Sequence, residues 1–163
     1  MSGKKVAAVL IPLAAIVVFL CWYFMRLCLF VDTAEGHLAV IPINDAYEFS
    51  FRTRFIHSVQ KTPVEEFFRV DADTREIILT STRYQSFGVG LPFLMSDGSF
   101  SRDGDFLVMS DMNRRMPELD LRPGVSTQLT LYVGEEEFPL YELVPLGSLV
   151  RVHVGKFYER FDF

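Results

Sequence analysis

The 163-residue chain is acidic, with 16 lysines and arginines against 21 aspartates and glutamates and a formal net charge of −5 at pH 7. A chain of this length has room for one compact domain. Lys4, Lys5 and Arg26 precede Phe30, whereas every acidic residue follows it, which leaves 13 basic against 21 acidic residues and a net charge near −8 after Phe30. This balance argues against nucleic acid or an anionic lipid surface as a partner of that region.

The first thirty residues contain an uninterrupted apolar run. From Val6 to Met25 the sequence VAAVLIPLAAIVVFLCWYFM has no charged residue. A helix of this length spans roughly 30 Å, the thickness of a hydrocarbon core, and the lysines before it favour a cytoplasmic N-terminus. The run therefore predicts a membrane anchor over residues 1–31, an uncleaved signal anchor with the lipid bilayer as its partner. Residues 32–163 are then expected to form an extracytoplasmic, periplasmic domain of a single-pass protein of the cytoplasmic membrane.

A cleaved signal peptide is the alternative interpretation of this run. Such peptides have shorter apolar cores and small residues at the cleavage site, and the bulky sequence RLCLFVDTAEG that follows favours an uncleaved anchor. Cys21 and Cys28 both lie in or beside the run, and no cysteine follows them. The remaining domain is therefore expected to have neither a disulfide nor a thiol nucleophile.

The rest of the chain alternates in the manner of β-strands. In YEFSFRTRFIHSV, residues 47–59, aromatic residues and His57 occupy odd positions, whereas arginines, serine and glutamate occupy even ones. Other strand-like segments, separated by turn residues, are 37–43, 64–71, 75–82, 105–110, 126–133, 137–143 and 149–158. Segment 111–119 predicts one helical turn. The pattern predicts an all-β domain, a compact sandwich or small barrel of about seven to nine strands.

The hairpin FIHSVQKTPVEEFF places a histidine and a glutamate on its apolar face. A four-residue turn from Gln60 to Pro63 pairs His57 with Glu66 across the two strands, close enough for an imidazole–carboxylate hydrogen bond. Such a pair is either a structural element that closes the end of the core or a ligand site. Catalysis is the third alternative, with His57 as a base and Glu66 as its orienting group. Ser58 cannot serve as the nucleophile of His57, because adjacent strand residues point to opposite faces.

The segment YQSFGVGLPF, residues 84–93, has glycines at alternate positions. Gly88 and Gly90 lack the spacing of a phosphate-binding loop. They indicate either a strand that bends at a corner of the fold or a backbone opened toward a ligand. His37 starts a predicted strand, and His153 is expected on a solvent-facing side. The sequence contains no paired spacing typical of a zinc or calcium site, and it predicts no cofactor.

Two motifs together resemble a known family. HSVQKTPVEEF, followed by SFGVGLP, is similar to a pattern in small bacterial extracytoplasmic proteins of unknown function, whose genes often lie beside TRAP-type transporters of the TAXI class. Gln60 departs from that pattern, which has an acid there. The resemblance implies a role in solute uptake, with the transporter's membrane subunits or its solute receptor as partners.

Three functions remain open from the sequence. The first is a membrane-anchored accessory or binding protein of a TRAP-type (TAXI) uptake system, and the others are a small hydrolase with a His–Glu pair and a stand-alone small-molecule binding module. An enzyme is the less favoured class, since no nucleophile is evident, and no catalytic residue is assigned. The predicted binding residues are His57, Ser58, Thr62, Pro63, Glu66, Ser86, Gly88, Gly90, Leu91 and Pro92.

Overall fold

Antiparallel β-strands make up most of the computed structural model, which describes residues 3–45, 49–85 and 98–161. These residues contain twelve strands. The strands are β1 (Leu27–Thr33), β2 (Gly36–Pro42), β3 (Ser50–Ile56), β4 (Pro63–Asp71), β5 (Glu76–Tyr84), β6 (Ser99–Asp103), β7 (Phe106–Ser110), β8 (Arg114–Met116), β9 (Glu118–Leu121), β10 (Thr130–Val133), β11 (Glu136–Pro139) and β12 (Val150–Lys156). The helices are α1 (Gly3–Met25), α2 (Leu140–Leu143) and a C-terminal 3-10 helix (Phe157–Phe161).

The strands form two antiparallel sheets. The smaller sheet has the order β2-β1-β12-β9, and the larger has the order β11-β10-β3-β4-β5-β7-β6, with β8 also paired to β5. The described residues form no closed barrel, so the sandwich prediction is confirmed and the barrel alternative is not. The strands also exceed the predicted seven to nine, because several have only three or four residues and lack a readable alternation.

The core lies between the two sheets, where inward side chains of alternate residues meet. Leu29 and Val152 contribute from the smaller sheet, and Phe68, Ile77 and Leu131 from the larger. All five are almost fully buried. At about 25 cal/mol per Å² of apolar surface removed from water, this burial is the main stabilising term of the domain. The alternation predicted for β3 is confirmed, since Phe51 and Thr53 are buried and Arg54 is exposed.

The predicted register of the β3–β4 hairpin is wrong by four residues. Glu66 pairs with Thr53, and Phe55 pairs with Val64. His57 instead closes the turn, because its backbone N–H donates to the carbonyl of Thr62 over 2.9 Å. His57 and Glu66 keep the same strand parity after this even shift, although His57 lies just beyond the end of β3. They are four residues apart along the ladder, however, which is roughly 13 Å at 3.3 Å per residue, and cannot form the predicted pair.

The turn is wider than predicted because two local features keep residues 58–61 out of the ladder. Lys61 adopts a left-handed conformation with φ 55°, and its N–H donates to the carbonyl of His57 over 2.9 Å. The imidazole of His57 meets other backbone donors of the same turn. A compact four-residue turn would forfeit these bonds.

The helical turn predicted at 111–119 is also wrong. Residues 114–116 pair with β5, and residues 118–121 pair with β12. These strands are short and carry exposed charges, so their conformation is set by neighbouring strands and not by their own periodicity.

Strand β1 begins before the predicted domain boundary at residues 31–32 and occupies an interior position of the smaller sheet. Beside it, the ring of Tyr23 at the end of α1 meets the ring of Phe157 edge-on, with centroids 5.1 Å apart.

Within the residues that the structure describes, no helix combines the length and apolarity needed to cross a membrane. This finding overturns the predicted single-pass membrane localisation.

Candidate inter-sheet binding cavity

A cavity of about 250 Å³ opens between the two sheets at one end of the core. It lies where β3 and β4 of the larger sheet approach β9 of the smaller sheet and the segment that follows β9. The lining residues are Phe55, Glu66, Asp120, Leu121, Arg122, Thr127 and Leu129. Concave sites with apolar walls and a few polar groups are typical of small-molecule binding.

Glu66 is the polar group that reaches inward on the larger sheet. Its position in β4 pairs it with Thr53 of β3 on one side and Thr82 of β5 on the other, and both threonines are fully buried. The Thr53 hydroxyl donates to Oε2 of Glu66 over 3.3 Å. The Thr82 hydroxyl turns away toward the Met112 sulfur, 3.7 Å distant. Among the residues that the structure describes, the hydrogen bond to the Glu66 carboxyl therefore comes from Thr53.

Burial raises the pKa of the Glu66 carboxyl above its usual value. The Thr53 hydrogen bond and the positive charge of Arg114 oppose this increase without cancelling it. A carboxyl with a raised pKa in a cavity is a candidate functional group, because a cationic ligand would restore the favourable environment of the charged form.

The cavity walls are apolar and its mouth is charged. Phe55, Leu121 and Leu129 supply the walls. At the mouth, Arg122 donates from Nη1 to the carbonyl of Gly147 over 3.3 Å. Asp120 is already engaged by Arg151 through two hydrogen bonds of 2.8 and 3.1 Å. Of the two acidic groups, Glu66 is therefore the more buried, and its carboxyl accepts one hydrogen bond where that of Asp120 accepts two.

A short turn fixes the far side of the cavity. The Thr127 hydroxyl donates to the carbonyl of Gly124 over 2.9 Å and accepts from the Gly124 N–H over 3.1 Å. The carbonyl of Thr127 accepts from the N–H of Ile56 over 2.6 Å, which ties this turn to the end of β3. The turn therefore holds residues 127–129 against Phe55.

His57 is buried, with 8% of its surface exposed, and has a structural role in the turn. Its Nδ1 accepts from the N–H groups of Val59 and Gln60, each over 3.2 Å. A ring nitrogen that accepts hydrogen bonds from the backbone carries no proton of its own. Nδ1 of His57 is occupied by these backbone donors, and Glu66 pairs with Thr53 instead. The two residues therefore do not form the catalytic base and orienting carboxylate that the hairpin pattern suggested.

Three other predicted binding residues, Ser58, Thr62 and Pro63, lie in or beside the His57 turn. Ser58 is exposed in the turn, and Pro63 begins β4 opposite Ile56. The Thr62 hydroxyl is buried and has no hydrogen-bond partner among the described residues. The glycine segment, with the predicted residues Ser86, Gly88, Gly90, Leu91 and Pro92, lies outside the described residues.

Sequence reasoning missed the residues that β9 and the following turn contribute to the cavity. Asp120, Arg122 and Thr127 were assigned no role, and Thr53 was not recognised as the partner of Glu66. The Pro123–Gly124 pair was the available signal, because it marks a turn just after the strand. Nothing in the local sequence indicated that this turn lies against the β3–β4 hairpin.

A second polar cluster lies on the outer face of the smaller sheet. Oδ1 of Asp32 is 2.6 Å from Nδ1 of His37, and Oδ2 of Asp32 is 2.9 Å from Nε2 of His153. The Phe30 ring packs against both imidazoles. His153 does face outward, but it is partly covered and paired. Across residues 3–45, 49–85 and 98–161, no group of three acidic, histidine or cysteine side chains could hold a metal ion.

Residues 51–140 match the family model described as domain of unknown function, DUF1850. This range includes every residue that lines the inter-sheet cavity. Neither a curated protein nor a solved structure matches the chain.

Proposed function

We propose that this chain, which belongs to the DUF1850 family, is a binding protein. Its inter-sheet cavity would hold a small ligand whose cationic group lies next to Glu66. The observation that carries this proposal is a carboxyl with a raised pKa, partly buried inside an apolar cavity. The cavity lies wholly within the part of the chain that defines the family.

The charge of the ligand follows from the electrostatics of Glu66. Desolvation disfavours its carboxylate, and the Thr53 hydrogen bond compensates only in part. A ligand ammonium group next to the carboxylate would offset the remaining cost, whereas a ligand carboxylate would increase it. The cavity therefore favours an amine over an acid of the same shape.

The size and walls of the cavity limit the rest of the ligand. A volume of about 250 Å³ lies just below the roughly 300–1,000 Å³ of typical ligand pockets, so the ligand is expected to be small. Phe55, Leu121 and Leu129 offer it apolar contacts. A short alkyl or aryl amine meets these requirements.

Calorimetric titration of the full chain tests this proposal. Benzylamine and benzoate are similar in size and opposite in charge, and only binding of the amine is expected to depend on Glu66. Since a bound cation lowers the pKa of Glu66, binding should also release protons, which is detected as a heat that varies with the ionisation enthalpy of the buffer. The Glu66→Gln variant should lose most of the affinity for the amine.

A matched control is Glu135→Gln, which removes an exposed carboxyl outside the cavity. This variant should bind the amine like the parent protein. No binding of the amine by the parent, or unchanged amine binding by Glu66→Gln, would refute the assignment of the cavity.

We also propose that this binding serves a TRAP-type uptake system of the TAXI class, as an accessory protein of the membrane subunits or the solute receptor. The support is the resemblance of HSVQKTPVEEF and SFGVGLP to the pattern of proteins encoded beside such transporters. Affinity purification of the tagged chain from its native cells should recover a transporter component. Absence of every such component, under conditions that preserve known transporter complexes, would contradict this assignment and leave the cavity proposal intact.

A further inference from the structure

The outer face of the larger sheet carries arginines on three neighbouring strands. Arg52 and Arg54 lie on β3, Arg69 on β4 and Arg83 on β5. The whole chain, in contrast, is acidic, with a formal net charge of −5. Such a face can favour anions where its arginines are not neutralised by neighbouring carboxylates.

Part of this face forms a groove of about 380 Å³. Its described lining contains two arginines and no carboxylate. The lining residues are Ser50, Phe51, Arg52, Phe67, Phe68, Arg69, Thr80, Tyr132 and Gly134. The groove is separate from the inter-sheet cavity, with which it shares no lining residue.

Arg52 is held in place at one side of the groove. Its guanidinium carbon lies 4.1 Å from the centre of the Tyr132 ring, and Nη1 donates to Glu65 over 3.0 Å. Glu65 is also 3.6 Å from Arg83, which lies 3.4 Å from Asp103. These two arginines and two carboxylates balance in charge, so the net positive charge at the groove comes from Arg69, while the remaining donors of Arg52 are positioned without a large entropy cost on binding.

Arg69 supplies the second cation. It lies opposite Ser50 in the β3–β4 ladder and is exposed, whereas Arg52 lies opposite Phe67. Arg52 and Arg69 therefore occupy adjacent strands on the same face, two residues from register with each other, and Phe67 lies on that face opposite Arg52 and two residues from Arg69 along β4. Two guanidinium groups next to an apolar ring can bind an anionic group and the hydrocarbon body that carries it.

We infer that this groove is a second binding site, for an organic anion whose carboxylate or phosphate group meets Arg52 and Arg69 and whose planar apolar body packs against Phe67 and Tyr132. The ligand class is opposite in charge to that of the inter-sheet cavity, and the two sites lie on different faces of the larger sheet. Each can therefore be removed by mutation without altering the other.

Calorimetric titration of the full chain with benzoate, phenyl phosphate and benzyl alcohol tests the site. Binding of at least one anion is expected, with an affinity that falls as salt is added, and the neutral alcohol should bind at least tenfold more weakly. The stronger of the two anions identifies the anionic group that the site prefers. Equal binding of alcohol and anion, or no binding of either anion, would overturn the inference.

The variant Arg69→Gln should reduce the anion affinity about tenfold or more, and Arg69→Lys should restore part of it because the charge is retained. Arg69 is exposed, so neither change should impair folding. Arg102→Gln, which removes an exposed arginine of β6 outside the groove, is the matched control and should leave binding unchanged. Glu66→Gln should also bind the anion normally, which separates this site from the proposed amine cavity. Unchanged anion binding by Arg69→Gln would refute the site.

Discussion

Thr53 and Glu66 face each other across the β3–β4 pair, and the buried threonine hydroxyl donates to the glutamate carboxyl over 3.3 Å. Glu66 is thereby the best-defined polar group on the inward face of the larger sheet. Its environment leads to predictions that do not depend on the identity of any ligand.

The first prediction concerns Glu66→Gln and the dependence of stability on pH. Burial raises the pKa of Glu66 in the folded protein above the value of about 4.5 expected in the unfolded chain. Between these two pKa values the folded state binds more protons than the unfolded state, so the contribution of Glu66 to stability is present at low pH and is lost as pH rises. The glutamine variant lacks this loss, and each unit of raised pKa corresponds to about 1.4 kcal/mol.

Urea unfolding of both proteins between pH 4 and pH 8 measures this effect. The variant should gain stability relative to the parent from about pH 4.5 upward, and the gain should level off above the raised pKa of Glu66. A difference that is constant with pH would show that the carboxyl is not desolvated in the folded protein.

The second prediction concerns Thr53→Val, which preserves shape and removes the hydroxyl. The loss of this hydrogen bond should lower the free energy of unfolding by about 1–2 kcal/mol. Because the hydroxyl lowers the pKa of Glu66, the valine variant should raise that pKa further. Carboxyl NMR titration measures the shift.

A double-mutant cycle with Glu66→Gln separates this hydrogen bond from packing effects. The cost of Thr53→Val should be smaller when it is combined with Glu66→Gln, because the glutamate carboxyl that accepts the hydroxyl hydrogen bond is then absent. Equal cost with and without the second substitution would show that the hydroxyl stabilises the fold through other contacts.

The third prediction concerns the turn at His57. His57→Ala removes the acceptor for two backbone donors and should lower the free energy of unfolding by about 1–2 kcal/mol. His57→Asn should cost less, because an asparagine side chain can accept from the backbone N–H two residues ahead. Hydrogen exchange should be faster at Val59 and Gln60 in the alanine variant than in the asparagine variant. Equal exchange in the two variants would contradict the acceptor role of Nδ1.

The β3–β4 hairpin shows how far sequence reasoning extends for this protein. Alternation in β3 identified its inward face, since side chains of one parity must share a face. The register could not be obtained in the same way, because a shift by four residues preserves parity and leaves every apolar residue on the core side. The observed register is accompanied by a left-handed Lys61 and by backbone hydrogen bonds to the His57 ring. The alternation of apolar and polar residues does not indicate either feature.

Only the side of the candidate cavity that the β3–β4 hairpin forms could be predicted from the sequence. Glu66 was recognisable as a carboxyl on an apolar face, whereas Asp120 lies in the other sheet, Arg122 lies just beyond the end of β9, and both follow a segment that resembled a helical turn. Contacts between residues more than fifty positions apart depend on how the sheets pack, and a single sequence carries little information about that packing.

The last prediction concerns the packing of the smaller sheet at Gly155. A methyl group added there would lie 3.0 Å from the Cε2 atom of Phe30 and would also collide with the Glu159 carboxylate. Glu159 can move away, since its salt bridge to Arg75 is 3.4 Å long and partly exposed. The Phe30 ring is fully buried between its neighbours and cannot. Gly155→Ala should therefore lower the free energy of unfolding by about 1–3 kcal/mol through overpacking.

In the control Gly124→Ala, the added methyl would meet only the Thr127 hydroxyl at 3.5 Å, an ordinary contact, so little change is expected. Urea unfolding measures both variants, and equal stability of the two would show that the smaller sheet has room for a side chain beside Phe30.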